Sequence, residues 1–425
     1  MPRNTCPVCD SPDTESFLRR QGVPVHQNQL FDTPAAARAI ARGDLEMRAC
    51  GACGFVFNAV FDPARVDYGP AYENSQDCSP AFNTHLDQLA DHIVTERGVR
   101  TGRIVEVGCG KGGFLRKLLA HPRNTCDAVG FDPAYLGPAE ILGGRARFVT
   151  DFYGPGTAVP ADAVTCRHVI EHIPKPLDLL RTVRAGVGAS GGTRVFFETP
   201  CAEWILRNRV PWDFFYEHCS LFTAGSLSLA LERAGFVVTS VRHIFGGQYL
   251  WAEGETKNLS PQPPPLRREG EQGAESPGAS AARQSSAPPP FLGEGVWGRG
   301  SSRLARAFAA EERERLAAWD AILAETCARG LVFAWGAGAK GVTFCNLADP
   351  HRERLAGVVD VNPAKQGKYL PGTGHPIVSP AAVRDAAAVL VFNPNYITEV
   401  RAMIERLGAR AEVIDPMQEA APCGS

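Results

Sequence analysis

Short apolar runs alternate with segments of helical spacing through most of the chain. Ile104-Val-Glu-Val107 ends in the turn Gly108-Cys-Gly-Lys-Gly112, after which Phe114 to Ala120 carries apolar residues at helical spacing. The alternation returns at Ala128-Val-Gly-Phe-Asp132, Phe148-Val-Thr-Asp151, Asp162-Ala-Val-Thr-Cys166 and Thr193-Arg-Val-Phe-Phe-Glu198. Apolar runs of this length are strands buried on both faces, and strands separated by helices predict a doubly wound α/β sheet. Upstream, Phe82, Leu86, Leu89 and Ile93 share one helical face; downstream, Leu227 to Ala234 reads as a last helix ended by Gly235. Phe236–Val241 and Phe245–Trp251 then suggest a terminal hairpin.

From 253 to 302 this pattern stops. The segment is rich in Pro, Gly, Ser, Arg and Glu, including Pro261-Gln-Pro-Pro-Pro265 and Pro288-Pro-Pro290, and has too little apolar surface to offset the entropy of ordering it. A disordered insert is expected there. Arg303 to Arg329 then reads as a long amphipathic helix, and Leu331-Val-Phe-Ala-Trp335 as a strand entering a second glycine turn, Gly336-Ala-Gly-Ala-Lys-Gly341, with Asp360 at the next strand end. That turn satisfies G-x-G-x-x-G. With only about 85 residues beyond it, half of a dinucleotide fold is expected, and a packing turn or a site for part of a substrate ahead of bound NAD. The expected organisation is therefore a zinc-binding ribbon over 1–65, a cofactor domain over 66–252, the insert over 253–302 and a Rossmann-like α/β domain over 303–425.

The ribbon rests on Cys6-Pro-Val-Cys9 and Cys50-Gly-Ala-Cys53. Two such knuckles turn four thiolates toward one ion, and four sulfurs close a tetrahedral zinc shell without leaving a position for water, so the zinc would be structural. A redox role for either pair is the competing reading. The remaining cysteines of the thirteen are scattered, which speaks for reduced thiols and against a disulfide framework. A formal charge of −2 gives no electrostatic ground for a nucleic-acid or anionic-membrane partner. No apolar run approaches a membrane span, and Met1-Pro-Arg-Asn lacks the apolar block of a signal peptide, so a soluble, cytoplasmic protein is expected.

The first glycine turn identifies its own ligand through the acid that precedes it. Side chains at Gly108, Gly110 or Gly112 would occupy ligand space, and Asp132 ends the following strand where ribose hydroxyls are held. Glu106 is badly placed beside a pyrophosphate but well placed near the ammonium and sulfonium charges of S-adenosylmethionine. With Asp151 beyond, the pattern E-x-G-x-G-x-G resembles the class I S-adenosylmethionine-dependent methyltransferases. That resemblance implies that Asp132 binds the ribose and that Asp151 or Phe152 lies near adenine.

The whole order of parts resembles the sugar C-methyltransferases, enzymes acting on nucleotide-linked 4-keto-deoxysugars. The matching segments are Arg167-His-Val-Ile-Glu-His-Ile173, Phe215-Tyr-Glu-His218, and Asp360-Val-Asn-Pro-Ala-Lys-Gln-Gly367 with Leu370-Pro-Gly-Thr373. The resemblance implies methylation at C3 with His218 as the base and Glu217 assisting, and Tyr72 lining the sugar site. Where the family carries a tyrosine three residues before that histidine, this chain has Phe215, whose ring donates no hydrogen bond to an enolate oxygen. Either Tyr216 or Tyr72 would supply it. His168 is expected near the methionine end of the cofactor; Glu171, His172 and Glu198 take no assigned chemistry. O- or N-methylation of another small metabolite, an NAD-linked oxidoreductase and a non-catalytic scaffold remain the alternatives.

Overall fold

The computed structural model describes residues 3–68, 72–75, 77–188, 191–257 and 295–419. Seventeen strands form three sheets among these residues. The N-terminal sheet contains β1 (Thr14–Pro24), β2 (Arg42–Cys50) and β3 (Val56–Asn58), all antiparallel. The central sheet is built from β4 (Arg103–Val107), β5 (Asp127–Phe131), β6 (Glu140–Ile141), β7 (Ala146–Val149), β8 (Ala163–Arg167) and β9 (Arg194–Pro200). The two-residue strand β10 (Ser220–Leu221) leaves this sheet and pairs with β3, with Ser220 opposite Phe57. Chain segments on either side of the glycine turn are thereby sewn together.

The hairpin β11 (Phe236–Ile244) and β12 (Tyr249–Thr256) completes the central sheet in the order β11-β12-β9-β8-β4-β5-β7-β6. Its five middle strands are parallel and mostly apolar, while β12 and β6 run against their neighbours. The helix Ala224–Arg233 starts three residues before the expected Leu227, because Thr223 and Ser226 form a reciprocal capping box.

The third sheet contains β13 (Leu331–Trp335), β14 (Gly357–Val359), β15 (Ile377–Val378), β16 (Ala386–Val391) and β17 (Glu412–Ile414), all parallel, in the order β15-β14-β13-β16-β17. Strands lie on both sides of β13, so this sheet is more than the expected half of a dinucleotide fold. β15 and β17 are too short to show as patterned runs. The expected insert is also narrower at both ends: β12 extends to Thr256 and the helix Gly295–Ala328 begins before 303. The stretch 258–294 lies outside the described residues.

The core divides by face. The cysteine knuckles with Phe55, Phe57 and Phe222 cover one side of the central sheet, and the helix containing Phe82, Leu86 and Leu89 covers the other. The N-terminal and C-terminal sheets share a cluster around Trp212, which is buried against Trp319, Phe344 and Phe392 and donates from Nε1 to the Phe392 carbonyl at 3.3 Å. Trp212→Ala would leave a large cavity in this seam and should cost about 3–5 kcal/mol. Denaturant unfolding is the measurement, and a loss under 1 kcal/mol would show that the seam does not bind the units together.

Candidate functional site

Both parallel sheets end at one cavity of about 280 Å³. The central sheet contributes His168 after β8 and Pro200 at the end of β9; the third sheet contributes Trp335 and Gly336 after β13, Asp360 after β14, and Val391 with Phe392 at the end of β16. Ligands of such sheets gather at strand carboxyl ends. The segment containing Asp213, Phe215 and His218 closes the wall, and Asn28 and Tyr72 bring in the N-terminal part of the chain.

The first glycine turn lies beside this cavity. Gly108 has φ +70° and touches Val169: a Cβ there would come within 2.1 Å of the valine side chain, so the turn is pressed against the residue that follows His168. At Gly110, φ is +53° and a Cβ would meet nothing within 4 Å, which leaves open space over the turn. Asp132 accepts from the Gly110 amide at 2.8 Å and from Ala134 at 2.8 Å. Glu106 is buried, with Oε2 lacking any partner. Burial foremost, then the charge of Asp132, pushes its carboxyl up to about 8 against the pull of Arg167. A cationic ligand is what such an orphaned acid lacks, and the residues fit the ammonium and sulfonium of S-adenosylmethionine. Asp151 is exposed and caps the Phe152 amide, while the Phe152 ring is 67% exposed beside it.

His168 lines the cavity, with Nδ1 3.2 Å from Glu171 and its ring edge-on to Tyr249 at 4.6 Å. The buried Glu171 also accepts from Thr199, and His172 is 2.9 Å from the Tyr68 hydroxyl. Glu198 is a hub under the wall, bonded to Arg167 and His85 at 2.6 Å each; despite burial, the neighbouring Arg167 and His168 charges hold its carboxyl well below the usual range. These contacts order the strand ends.

His218 faces the cavity, its ring tilted 40° against Phe215 at 4.0 Å and edge-on to His172 at 4.9 Å. Neither ring nitrogen makes a hydrogen bond among the described residues, and one of them lies within 4.8 Å of ligating atoms of Glu171 and His172. Burial, then the neighbouring His172, pushes its pKa well below the ordinary histidine value, so the imidazole is neutral with a lone pair available near neutral pH. Glu217, the next residue back, is turned away from that ring. Its carboxylate accepts from His26 Nδ1 at 3.2 Å and the Gln27 amide at 2.8 Å. The pairing expected between Glu217 and His218 is therefore corrected: across this turn the two side chains take opposite directions.

Tyr216 requires a second correction. Its ring packs on Phe61 and on Gly43, where a Cβ would fall within 2.2 Å of it, and its hydroxyl donates to the Asp62 carbonyl and accepts from the Asp62 amide. It does not line the cavity. Tyr72 does, with its oxygen accepting from Asn28 Nδ2 at 3.3 Å.

The second glycine turn is held by its own residues. Asp360 accepts from the Ala337 amide at 2.8 Å, Lys365 donates to the Ala337 carbonyl at 3.0 Å, and Gly341 packs so closely on the Gly336 carbonyl that no Cβ fits. Lys340 reaches across to Asp213 at 2.5 Å, just upstream of His218. At the far end of the chain, the four sulfurs of Cys6, Cys9, Cys50 and Cys53 all lie within 4.8 Å of one another, with Cys6–Cys53 at 3.6 Å and Cys9–Cys50 at 3.5 Å. Sequence reasoning missed His26, Gln27, Asn28, Lys340 and Asp213. Their contacts span 44 to 191 residues and leave no local signal.

Comparison with known proteins identifies the class. Residues 82–241 match the Methyltransferase domain family and residues 298–413 match the C-methyltransferase C-terminal domain. The C-methyltransferase NovU of Streptomyces niveus is 25% identical over 94% of this chain and 91% of its own length. The mitochondrial ubiquinone biosynthesis O-methyltransferase of Schizosaccharomyces pombe is 29% identical over 26% of this chain, and the match spans only 42% of that enzyme. Among solved structures, an N,N-8-amino-8-demethyl-D-riboflavin dimethyltransferase from Streptomyces davawensis aligns with a TM-score of 0.33 at 20% identity, over 41% of this chain and 55% of its own.

The chain is an S-adenosylmethionine-dependent methyltransferase. Its C-methyltransferase C-terminal region and its end-to-end likeness to a C-methyltransferase support methyl transfer to carbon. Since Glu106 must shed a proton to meet a cation, cofactor affinity measured by calorimetry should rise with pH between about 6 and 8, with proton release on binding. Glu106→Gln should weaken binding and flatten this rise; an unchanged pH profile would remove Glu106 from the cofactor site.

Proposed function

We propose that the chain moves a methyl group from S-adenosylmethionine to carbon, C3, of a nucleotide-linked 4-keto-deoxysugar, with His218 as the base. The observation that carries this reading is the imidazole of His218, which faces the cavity between the two sheets without a hydrogen bond to its ring nitrogens among the described residues. A C–H bond beside a ketone is acidified because the electron pair released spreads onto the carbonyl oxygen, and a neutral imidazole takes that proton near neutral pH. Tyr72 is the hydroxyl donor for the developing oxygen anion, taking the part that Phe215 lacks the atoms to play. S-adenosylmethionine, when bound, supplies the electrophilic methyl group that the enolate carbon takes up.

Glu106, Gly110 and Asp132 would hold this cofactor, with Asp151 or Phe152 toward adenine and His168 at the methionine end beside Gly108. The second glycine turn supports the nucleotide end of the substrate: helix Ala339–Ala348 starts there, and Lys340 and Lys365 place cationic groups at the same cavity wall. The four cysteines would hold a structural zinc, since tetrahedral bonds of about 2.3 Å put sulfurs about 3.8 Å apart.

Two measurements follow. In deuterated solvent without cofactor, the enzyme should wash label into C3 of a nucleotide-linked 4-keto sugar, and His218→Gln should slow this by about 10²–10⁴-fold. Wild-type turnover without any exchange would favour O- or N-methylation. Chelating zinc should lower the melting temperature and turnover together, because β3 and β10 join the cysteine knuckles to the His218 segment; a stop in turnover with unchanged melting would make the metal catalytic.

A further inference from the structure

Glu217 presents a problem of charge that the sugar-methylation reading does not itself solve. Its side chain is fully buried, so every hydrogen bond it needs must come from the protein. Two come from the segment following β1: the Gln27 amide to Oε2 at 2.8 Å and His26 Nδ1 to Oε1 at 3.2 Å. The direction of the second is determined by a third contact. The Asp67 backbone N–H donates to His26 Nε2 at 3.0 Å, so Nε2 carries the lone pair and Nδ1 carries the hydrogen that Glu217 accepts.

The third neighbour of Glu217 is Tyr72. Its ring stands edge-on to that of His26, the residue bonded to Glu217, with centroids 6.1 Å apart; burial foremost, then the Glu217 charge, pushes its phenol well above the ordinary range. The backbone at Tyr72 is pinned to the same segment by a bridge to Gln29, and the Glu73 amide donates to the Asn28 carbonyl at 2.8 Å. Because the Tyr72 oxygen accepts from Asn28, its single hydrogen has two destinations, Glu217 or a ligand in the cavity.

We propose that His26 is a positioning residue for methyl transfer: its Nδ1–H satisfies Glu217, so that the Tyr72 hydrogen is free to turn to the substrate oxygen as negative charge develops there. Without that donor, Glu217 retains one amide and competes for the Tyr72 hydrogen when the enolate needs it. No proton changes owner at His26; the C3 proton goes to His218 and its electron pair to the carbonyl oxygen. The inference rests on the reading of Tyr72 as the hydroxyl donor.

The test uses the full-length enzyme and steady-state methyl transfer to a nucleotide-linked 4-keto sugar. His26→Ala should lower kcat by about 10–100-fold, with substrate KM and cofactor affinity within about threefold. His26→Asn, which places an amide N–H where Nδ1 stood, should recover most of the loss. In a Tyr72→Phe background, His26→Ala should cost less than about twofold more, because the hydrogen it protects is gone. Full activity in His26→Ala, no rescue by Asn, or additive losses in the double variant would each overturn the proposal. Should the wild type turn over no keto sugar, the preceding reading falls, and nitrogen-15 spectra decide this one: an Nδ1–H tautomer at His26 whose signal shifts in Glu217→Gln supports the link, and an Nε2–H tautomer refutes it.

Discussion

A fully buried carboxylate at Glu217 constrains how the rest of the molecule assembles. Burying an unpaired charge costs several kcal/mol, and the two N–H groups that offset it come from His26 and Gln27, 190 residues upstream. The N-terminal segment therefore has to dock on the turn preceding His218 for that turn to exist in this form. Pairing of β10 with β3 secures the same junction, with the Asn58 amide bonded to the Cys219 carbonyl at 3.0 Å. The cysteine knuckles at the base of the N-terminal sheet thus brace the wall that faces the cavity, and a metal held there would act on the site through this brace.

The second constraint is the meeting of two parallel sheets by their carboxyl ends. Placed face to face, they enclose one space with His168, Glu171 and His172 on one side and Lys340 and Lys365 on the other. The Lys340–Asp213 pair spans the gap, and the aromatic seam around Trp212 lies behind it. Such an enclosure suits a long ligand with a cationic donor at one end and anionic groups at the other. It also desolvates His218, whose pKa is lowered by burial before any neighbouring charge.

Much of the fold was legible along the chain. The inner parallel strands of the central sheet fall on mostly apolar runs, because a strand covered on both faces buries most of its side chains. The paired C-x-x-C motifs were legible because two knuckles have few other uses. Two-residue strands such as β10 and β15 were not, since they have no period of their own and exist only through a partner. The direction of Glu217 and Tyr216 was equally hidden: adjacency to His218 suggested a shared task, whereas the local turn sends each side chain to a different neighbour.

The order of residues alone indicated the long strands of the central sheet, the glycine turn after the first of them and the carboxylate of Glu106 just before it. Those properties depend on burial and backbone freedom within a few residues of one another. Only tertiary structure decided that the second glycine turn lines the cavity while the first packs on Val169, next to His168 in its wall, that Tyr72 rather than Tyr216 presents its hydroxyl there, and that His26 bonds to Glu217. These depend on donors and acceptors meeting across long loops, where pairing is enforced by the cost of leaving a buried polar group unsatisfied.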